Sequence, residues 1–263
     1  MAWGYGNSGS GGGLNATDAV LRVIVKAGST VTITKGSYHK TDTGHENHID
    51  NTLYDYYFVI HASQFDSSNP WTVTATLGTE TVTQTIIIDS PDEYDFQLYY
   101  PLYIIKNGIL DPDAVITKVG KKSNSSSSST EEAPSSSNGD GYIQIGYTSN
   151  TSSGTRQGIA YISSYRVVLS KYNHHVVVGT AKNNSSYTTN LCADAWTSIG
   201  DYIQSNRLYY GTILNDTSAS GYVSFTKDMD ISTDNDTVYV GFNFIRGPSY
   251  YTSIRVQDLY FTM

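Results

Sequence analysis

The carboxylate side chains are the first candidates for chemistry in this sequence. Cleavage of a glycosidic bond usually needs two carboxylates, one of them with a raised pKa. Glutamates are sparse and none follows residue 132; they are Glu46, Glu80, Glu93, Glu131 and Glu132. The sequence contains neither a G-x-S-x-G nucleophile elbow nor a Walker loop. The pattern therefore favours a protein without catalytic residues, and a small glycan hydrolase is a less favoured alternative.

Acidic and imidazole side chains could instead bind a metal. One cluster offers the hard oxygens that calcium prefers, and its members are Asp228, Asp230, Asp234 and Asp236. The cluster lacks the spacing and the glycine of an EF-hand loop, so solvated turn-forming aspartates are the alternative to a calcium site at Asp230. His45, His48 and Asp50 have the ligand types for zinc or nickel, but a predicted loop does not fix them on one face. We expect no cofactor beyond a structural calcium.

Aromatic residues give the remaining binding signal. Tyrosine occurs 23 times, and it offers a rigid contact surface to which Ser, Asn and Gly add adaptable hydrogen bonds. The candidate ligand-binding positions fall into two groups. The first group comprises the predicted loop positions Trp196, Arg246, Tyr250 and Tyr251, and the second group is Arg207, Tyr209 and Tyr210. For each position the alternative is a core aromatic or an ordinary surface tyrosine.

Charge and hydropathy exclude several classes of partner. The net charge is −8, with 16 Lys and Arg residues and no basic run, so we expect no nucleic-acid partner. Apolar runs such as 86–88 are far shorter than the roughly 20 residues of a membrane helix, so we expect no membrane partner. The chain opens without a basic and then apolar signal segment. Cys192 is the single cysteine, which excludes an intrachain disulfide.

Strand patterns predict an all-β fold of two β-sandwich modules, Ig-like and then jelly roll. Residues 1–15 form a Gly/Ser-rich arm that we expect to be flexible. Residues 16–100 alternate with period two, for example over 30–34 and 71–76, and 81–88 is the hairpin partner of the latter. Residues 101–263 form the second module, with a Ser-rich segment at 121–141 that we expect to be a mobile loop. Residues 194–204 are the one candidate for a helical turn.

Several of these stretches resemble structural proteins of phages and prophages from Gram-positive gut bacteria. KAGSTVTITKG, WTVTATLGTETVTQTIIID and EYDFQLYY resemble their small Ig-like or carboxypeptidase-regulatory-like modules. The segment from Asp230 through TVYVGFNF, and the closing strand SIRVQDLYFT, are similar to the galactose-binding-like jelly roll that often follows. The resemblance implies a virion tail, fibre or other surface component without catalytic residues. It also implies a structural calcium near the terminal-strand residue Asp258.

The function that we expect is therefore structural or adhesive and non-enzymatic, in a bacteriophage virion as a tail, fibre or capsid-surface component. Such a protein is made in the host cytoplasm and becomes extracellular on lysis, which reconciles a surface-like composition with the missing signal peptide. The expected partners are other virion subunits, further copies of the chain in a homo-oligomer, and a host-surface glycan. The alternative is a pair of carbohydrate-binding modules from a bacterial cell-surface protein.

Overall fold

A computed structural model describes residues 17–42, 45–46, 52–122, 134–149, 156–183, 189–199, 207–216, 219–246 and 250–263. These residues form 21 β-strands and two single 3-10 turns, Ala62–Gln64 and Leu169–Lys171. None of the described segments forms a helix with the length and apolar character needed to cross a membrane. The predicted arm at 1–15 lies outside the described residues, so its flexibility stays a prediction.

Residues 1–100 form a first compact unit. Its strands are β1 (Ala19–Lys26), β2 (Thr30–Lys35), β3 (Tyr38–Asp42), β4 (His45–Glu46), β5 (Leu53–Ile60), β6 (Asp66–Leu77), β7 (Glu80–Ile88) and β8 (Glu93–Gln97). One sheet has the order β4-β5-β1-β8, and the other has the order β3-β2-β6-β7. The pair β1 and β8 is parallel, and the other pairs in this unit are antiparallel.

The core of the first unit follows from period-two alternation. Val31 and Ile33 of β2 are fully buried, whereas the threonines that alternate with them face outward. Trp71 and Phe58 are among the largest fully buried side chains, and they come from different sheets. Two four-stranded sheets that each bury one face make the Ig-like β-sandwich expected from the sequence.

Residues 101–263 form a second compact unit. Its strands are β9 (Leu102–Lys106), β10 (Ile109–Leu110), β11 (Ile116–Lys122), β12 (Ser135–Gly139), β13 (Tyr142–Ser149), β14 (Arg156–Ile162), β15 (Val167–Val168), β16 (His174–Asn183), β17 (Thr189–Trp196), β18 (Arg207–Asp216), β19 (Ala219–Asp230), β20 (Thr237–Arg246) and β21 (Tyr250–Thr262).

Two sheets build the second unit. The seven-stranded sheet has the path β10-β9-β21-β13-β12, with β16 pairing β21 on its other side and β19 beyond β16. The six-stranded sheet has the path β11-β14-β20-β17-β18, with β15 beside β20. From β13 onward the chain passes repeatedly between the sheets, and every pair is antiparallel. This is the jelly-roll sandwich that the strand count predicts.

Alternation also sets the core between these two sheets. Val256 and Phe261 of β21 and Val240 and Phe244 of β20 are buried in one apolar cluster. The hairpin of β9 and β10 turns at Asn107 and Gly108, whose φ angles of 52° and 73° are those of a type I′ turn. The buried positions leave the opposite face of each sheet to polar and aromatic side chains, and these define the candidate sites.

Two local predictions for the second unit were wrong. Residues 194–196 of the predicted helical turn lie in β17, where backbone pairing with β18 and β20 on both sides outweighs local helix preference. Part of the predicted Ser-rich loop is a strand, because residues Ser135–Gly139 pair with β13 as an edge strand that needs no apolar side chains. Residues 123–133 of that segment lie outside the described residues.

Candidate functional site

Tyr251 lies on the outward face of the seven-stranded sheet. Ile254 and Val256 of β21 point into the core, so alternation places Tyr251 and Arg255 on the opposite face. The neighbouring strands add further outward side chains to this face. One of them is Gln144 of β13, which lies directly opposite Arg255. We call this cluster the Arg255 platform; its members are Tyr142, Gln144, Lys182, Tyr222, Tyr251 and Arg255.

The guanidinium of Arg255 lies between two tyrosine rings. Its central carbon is 3.8 Å from the centre of the Tyr222 ring and 4.6 Å from that of Tyr142. Nε of Arg255 also donates a hydrogen bond of 2.9 Å to Oε1 of Gln144. Each cation–π contact contributes about 0.5–2 kcal/mol, depending on exposure. The three contacts hold the planar group in one orientation.

Two glycines make room for the platform's rings. A Cβ atom added at Gly139 would lie 2.5 Å from the ring of Tyr142, and one added at Gly146 would lie 3.1 Å from Cε2 and the hydroxyl of Tyr251. Real Cβ atoms rarely make contacts this close, so each ring lies against bare backbone of β12 or β13. An aromatic ring that covers a strand glycine stabilises the sheet.

Further polar groups surround the ring of Tyr222. Its hydroxyl donates to Oγ of the buried Ser253 at 3.1 Å. The ammonium of Lys182 is 6.0 Å from the same ring centre. The platform thus contains two cations on a chain whose net charge is −8.

Neither cation of the platform has a carboxylate partner among the described residues. The terminal nitrogens of Arg255 also make no hydrogen bond to those residues. A guanidinium presents its N–H groups as a planar fork that matches carboxylate and sulfate oxygens. The arrangement can therefore bind an anionic group between aromatic faces.

The six-stranded sheet divides the second predicted group, and it brings Trp196, a member of the first group, next to Arg207. Trp196 lies opposite Arg207 across β17 and β18. Trp196 is fully buried, on the face turned away from the main core, where Ile159 and Tyr239 pack around it. The guanidinium carbon of Arg207 is 4.2 Å from the ring centre of Tyr210, which is 57% exposed. The structure thus brings Trp196, Arg207 and Tyr210 to one face, with Tyr210 the accessible member.

Tyr209 lies on the other face of β18, toward the main core. Its hydroxyl is 3.0 Å from Nδ1 of His175, whose ring is fully buried. Burial raises the pKa of the Tyr209 phenol well above its usual value. Tyr209 therefore has a packing role here, and the structure does not bring it together with Trp196 and Tyr210.

A buried ion pair between Asp194 and Arg207 joins β17 and β18. Oδ2 of Asp194 accepts hydrogen bonds from Nε of Arg207 at 2.6 Å and from Nδ2 of Asn243 at 2.9 Å. Burial raises the pKa of Asp194 to about 6, although Arg207 and the hydrogen bond from Asn243 oppose the rise. Asp194 is the only carboxylate at the described outward positions of β14, β17, β18 and β20. This is not the two-carboxylate arrangement of a glycoside hydrolase.

Two predicted ligand residues can be placed only by their strands. Arg246 ends β20 opposite Arg156, and Tyr250 begins β21 opposite Ser149. Their side chains lie outside the described residues, so their contact with a ligand stays a prediction. Of the predicted metal loop, His45 lies in β4 opposite Asp55, whereas His48 and Asp50 lie outside the described residues.

The two predicted calcium ligands lie apart. Asp230 lies opposite His174 and Asp258 opposite Val178 on β16, so about 13 Å of strand separates these positions. Oδ1 of Asp230 accepts hydrogen bonds from the amide and hydroxyl of Ser232, and Oδ1 of Asp258 accepts one from the amide of Asn107. Within the described ranges, no three His, Cys, Asp or Glu side chains are grouped to hold a metal.

Sequence reasoning missed most of the platform. Tyr142, Gln144, Lys182, Tyr222 and Arg255 lie in strands, and none of them was among the predicted ligand residues. The available signal was alternation: in the predicted closing strand SIRVQDLYFT, the polar Ser253 and Arg255 alternate with the apolar Ile254 and Val256. Alternation alone did not indicate which strands are neighbours.

No protein-family model matches the chain, and no curated protein matches it at a significant level. Among solved structures, the chain is similar to a family 30 carbohydrate-binding module of a cellulosomal cellulase from Clostridium thermocellum, with a TM-score of 0.37, 11% identity, and 62% of this chain and 96% of that chain covered. It is also similar to a carbohydrate-binding module of the β-sandwich superfamily, with a TM-score of 0.34 and 10% identity. That match covers 88% of this chain and 83% of the module. A third similarity is to the structure of infectious bursal disease virus, Gt strain, with a TM-score of 0.27 and 9% identity. That match covers 93% of this chain and 55% of the viral chain. At these scores the similarities carry no argument about function.

Proposed function

We propose that the chain is a non-catalytic binding and structural protein whose Arg255 platform binds an acidic glycan. The observation that carries the proposal is the orientation of Arg255, fixed between Tyr142 and Tyr222 without a carboxylate partner among the described residues. Because the guanidinium is already ordered in the free protein, binding an anion costs little further side-chain entropy. Most of the interaction energy then contributes to affinity.

The chemistry of the platform fits a sugar that bears a carboxylate or sulfate. The charged group would accept hydrogen bonds from the terminal nitrogens of Arg255, and Lys182 would add a second positive charge. The ring of Tyr251, which lies against Gly146 of β13, would contact the C–H face of the sugar. A single site of this size is expected to bind with a Kd of about 1 mM to tens of micromolar.

We also propose that the chain does not cleave the glycan that it binds. The platform's own six side chains include no carboxylate, so the pair of carboxylates that most glycoside hydrolases use is missing there. If the chain is incubated with an acidic polysaccharide, the yield of reducing ends should equal that of a heat-denatured control. Release above that control would contradict the non-catalytic assignment.

Binding is tested on an array of glycans that carry uronic acid, sialic acid or sulfate, with their neutral counterparts alongside. The full chain should bind at least one acidic glycan and lose that binding in Arg255→Gln. The matched control is Arg166→Gln, because Arg166 is exposed and, like Arg255, stacks on a tyrosine, 5.3 Å from the ring centre of Tyr239. Binding to neutral glycans only, or equal losses in the two variants, would contradict the proposal.

The setting that we propose is the surface of a bacteriophage virion, as a tail, fibre or capsid-surface component, with other virion subunits and further copies of the chain as partners. Its support is the low share of charged residues, 15%, in a chain of two β-sandwich units. The second candidate is a carbohydrate-binding module pair of a bacterial cell-surface protein. A stable oligomer favours the virion, whereas a monomer with specific glycan binding favours the cell-surface protein.

A further inference from the structure

Nine threonines form a regular array on the outer face of the sheet β3-β2-β6-β7. They are Thr30, Thr32 and Thr34 of β2, Thr72, Thr74 and Thr76 of β6, and Thr81, Thr83 and Thr85 of β7. The register aligns them in three rows across the strands, Thr30-Thr76-Thr81, Thr32-Thr74-Thr83 and Thr34-Thr72-Thr85. Strands lie about 4.8 Å apart and alternate residues about 6.8 Å apart, which gives the spacing of the array.

The threonine rows are linked by side-chain hydrogen bonds as far as β7. The hydroxyl oxygens of Thr74 and Thr83 are 3.1 Å apart, and those of Thr76 and Thr81 are 3.4 Å apart. Cross-strand threonine pairs and restricted χ1 angles stabilise the sheet, which accounts for the array in the interior of the sheet. These stabilising effects do not explain why residues 81–88 of β7, the strand at which the rows end, are all uncharged.

Over most of its length, β7 lacks two of the features that commonly protect an edge strand, charged side chains and proline. Residues 81–88 read TVTQTIII, with no charge and no proline, and Ile87 is 47% exposed. Among the described residues, β6 is the only strand that pairs with β7. Natural edge strands are usually short, charged, bulged or interrupted by proline, because an open edge recruits another strand.

The opposite edge of the same sheet is protected. Strand β3 is five residues long and contains His39, Lys40 and Asp42. The contrast between the two edges indicates that the open composition of β7 is specific to that edge. A partner strand would pair with the open backbone N–H and C=O groups of this edge.

We propose that β7 pairs with β7 of a second copy of this chain, antiparallel about a two-fold axis at Gln84. In such a pair, residues facing each other must lie on the same side of the sheet, so the axis passes through a residue. An axis at Gln84 places Thr83 opposite Thr85 and the exposed Ile87 opposite Thr81. It also places Glu80 opposite Ile88, so no acidic residue faces another.

The pairing would extend the three threonine rows across two copies. Only uncharged side chains meet across the axis over residues 81–87, and the two open backbones satisfy each other's hydrogen bonds. A single strand pair buries a small area, so the dimer is expected to dissociate on dilution. This interface is independent of the Arg255 platform, which lies in the other unit.

The test is analytical ultracentrifugation of the full chain over a wide concentration range. A monomer–dimer equilibrium is expected, and Thr83→Lys should weaken it by about tenfold or more, because charged side chains would enter the pair. The matched control is Thr74→Lys, which introduces the same charge on the same face but on the interior strand β6. This control should dimerise like the parent chain.

Cross-linking tests the register of the pair. In Gln84→Cys the new cysteines of the two copies would face each other at the axis and form an intermolecular disulfide under mild oxidation, whereas the native Cys192 is buried. A chain that stays monomeric at every concentration would overturn the proposal. So would a dimer that Thr83→Lys leaves intact, or a Gln84→Cys dimer that does not cross-link.

Discussion

The imidazole of His175 stacks on the ring of Phe261, with the ring centres 4.4 Å apart and the planes inclined by 15°. His174, the preceding residue of β16, points to the other face, where its Nδ1 lies 3.0 Å from Oδ1 of Asp228. Burial lowers the pKa of His175 to about 3, because the charged imidazolium would lose its hydration. The second unit therefore holds a neutral imidazole in its core.

Acid should destabilise the protein through His175. Between about pH 6.5 and pH 3 the unfolded chain binds a proton here that the folded chain does not. The stability contribution is fully present above pH 6.5 and falls by about 1.4 kcal/mol per pH unit below it. In a double variant, His175→Phe with Tyr209→Phe, both polar partners are removed together, so the core keeps its packing. Its free energy of unfolding, measured in urea from neutral to acid pH, should fall less steeply than that of the parent chain, and equal slopes would exclude this role.

The ion pair of Asp194 and Arg207 leads to the opposite pH dependence. The folded pKa of Asp194 is raised from 3.8 to about 6, so its contribution to stability increases as the pH falls from about 6 to about 4. Arg207→Gln leaves the buried carboxylate without a cation and should cost about 3–5 kcal/mol at neutral pH. The penalty should be smaller near about pH 5, because the carboxyl group can then be neutral. Urea unfolding at the two pH values checks this, and an equal penalty at both would contradict it.

Gly146 should control the position of the Tyr251 ring. Gly146→Ala adds a Cβ atom 3.1 Å from that ring, so the ring must move away from the sheet. We expect affinity for an acidic glycan to fall by about threefold to tenfold, or about 0.7–1.4 kcal/mol, while the midpoint of thermal unfolding changes by only a few degrees. Calorimetric titration and a thermal melt of the same sample measure the two effects. Unchanged affinity would remove Tyr251 from the platform's binding role.

Cys192 should be chemically inert in the folded protein. It is buried in β17, and burial raises the pKa of its thiol, so little reactive thiolate is present near neutral pH. A chromogenic disulfide reagent should react with less than one thiol per chain on the native protein and with one thiol after unfolding in urea. Rapid reaction of the native chain would show that this strand opens easily.

The architecture could be predicted because it depends on local patterns. Alternation of Val31 and Ile33 with threonines predicts a strand with one buried face, and the Asn107-Gly108 pair is a strong hairpin signal. Both features need only neighbouring residues. The structure shows the two β-sandwich folds that these patterns predict.

The candidate site could not be predicted, because it depends on which strands are neighbours. Arg255 meets Tyr142 and Tyr222 only because β21 lies between β13 and β16, with β19 next. Trp196 is the converse case. It faces away from the main core of its unit, and yet it is fully buried, which alternation alone does not reveal.

The most direct test of the Arg255 platform is a calorimetric titration with one acidic oligosaccharide selected on the glycan array, in two forms. In the first form the acid groups are free, and in the second they are methyl esters, which keep the sugar ring and remove the charge. We predict binding of the free acid that weakens as salt is added, little binding of the ester, and loss of the difference in Arg255→Gln. Equal binding of both forms by the parent chain, or an undiminished preference for the acid in Arg255→Gln, would contradict the account.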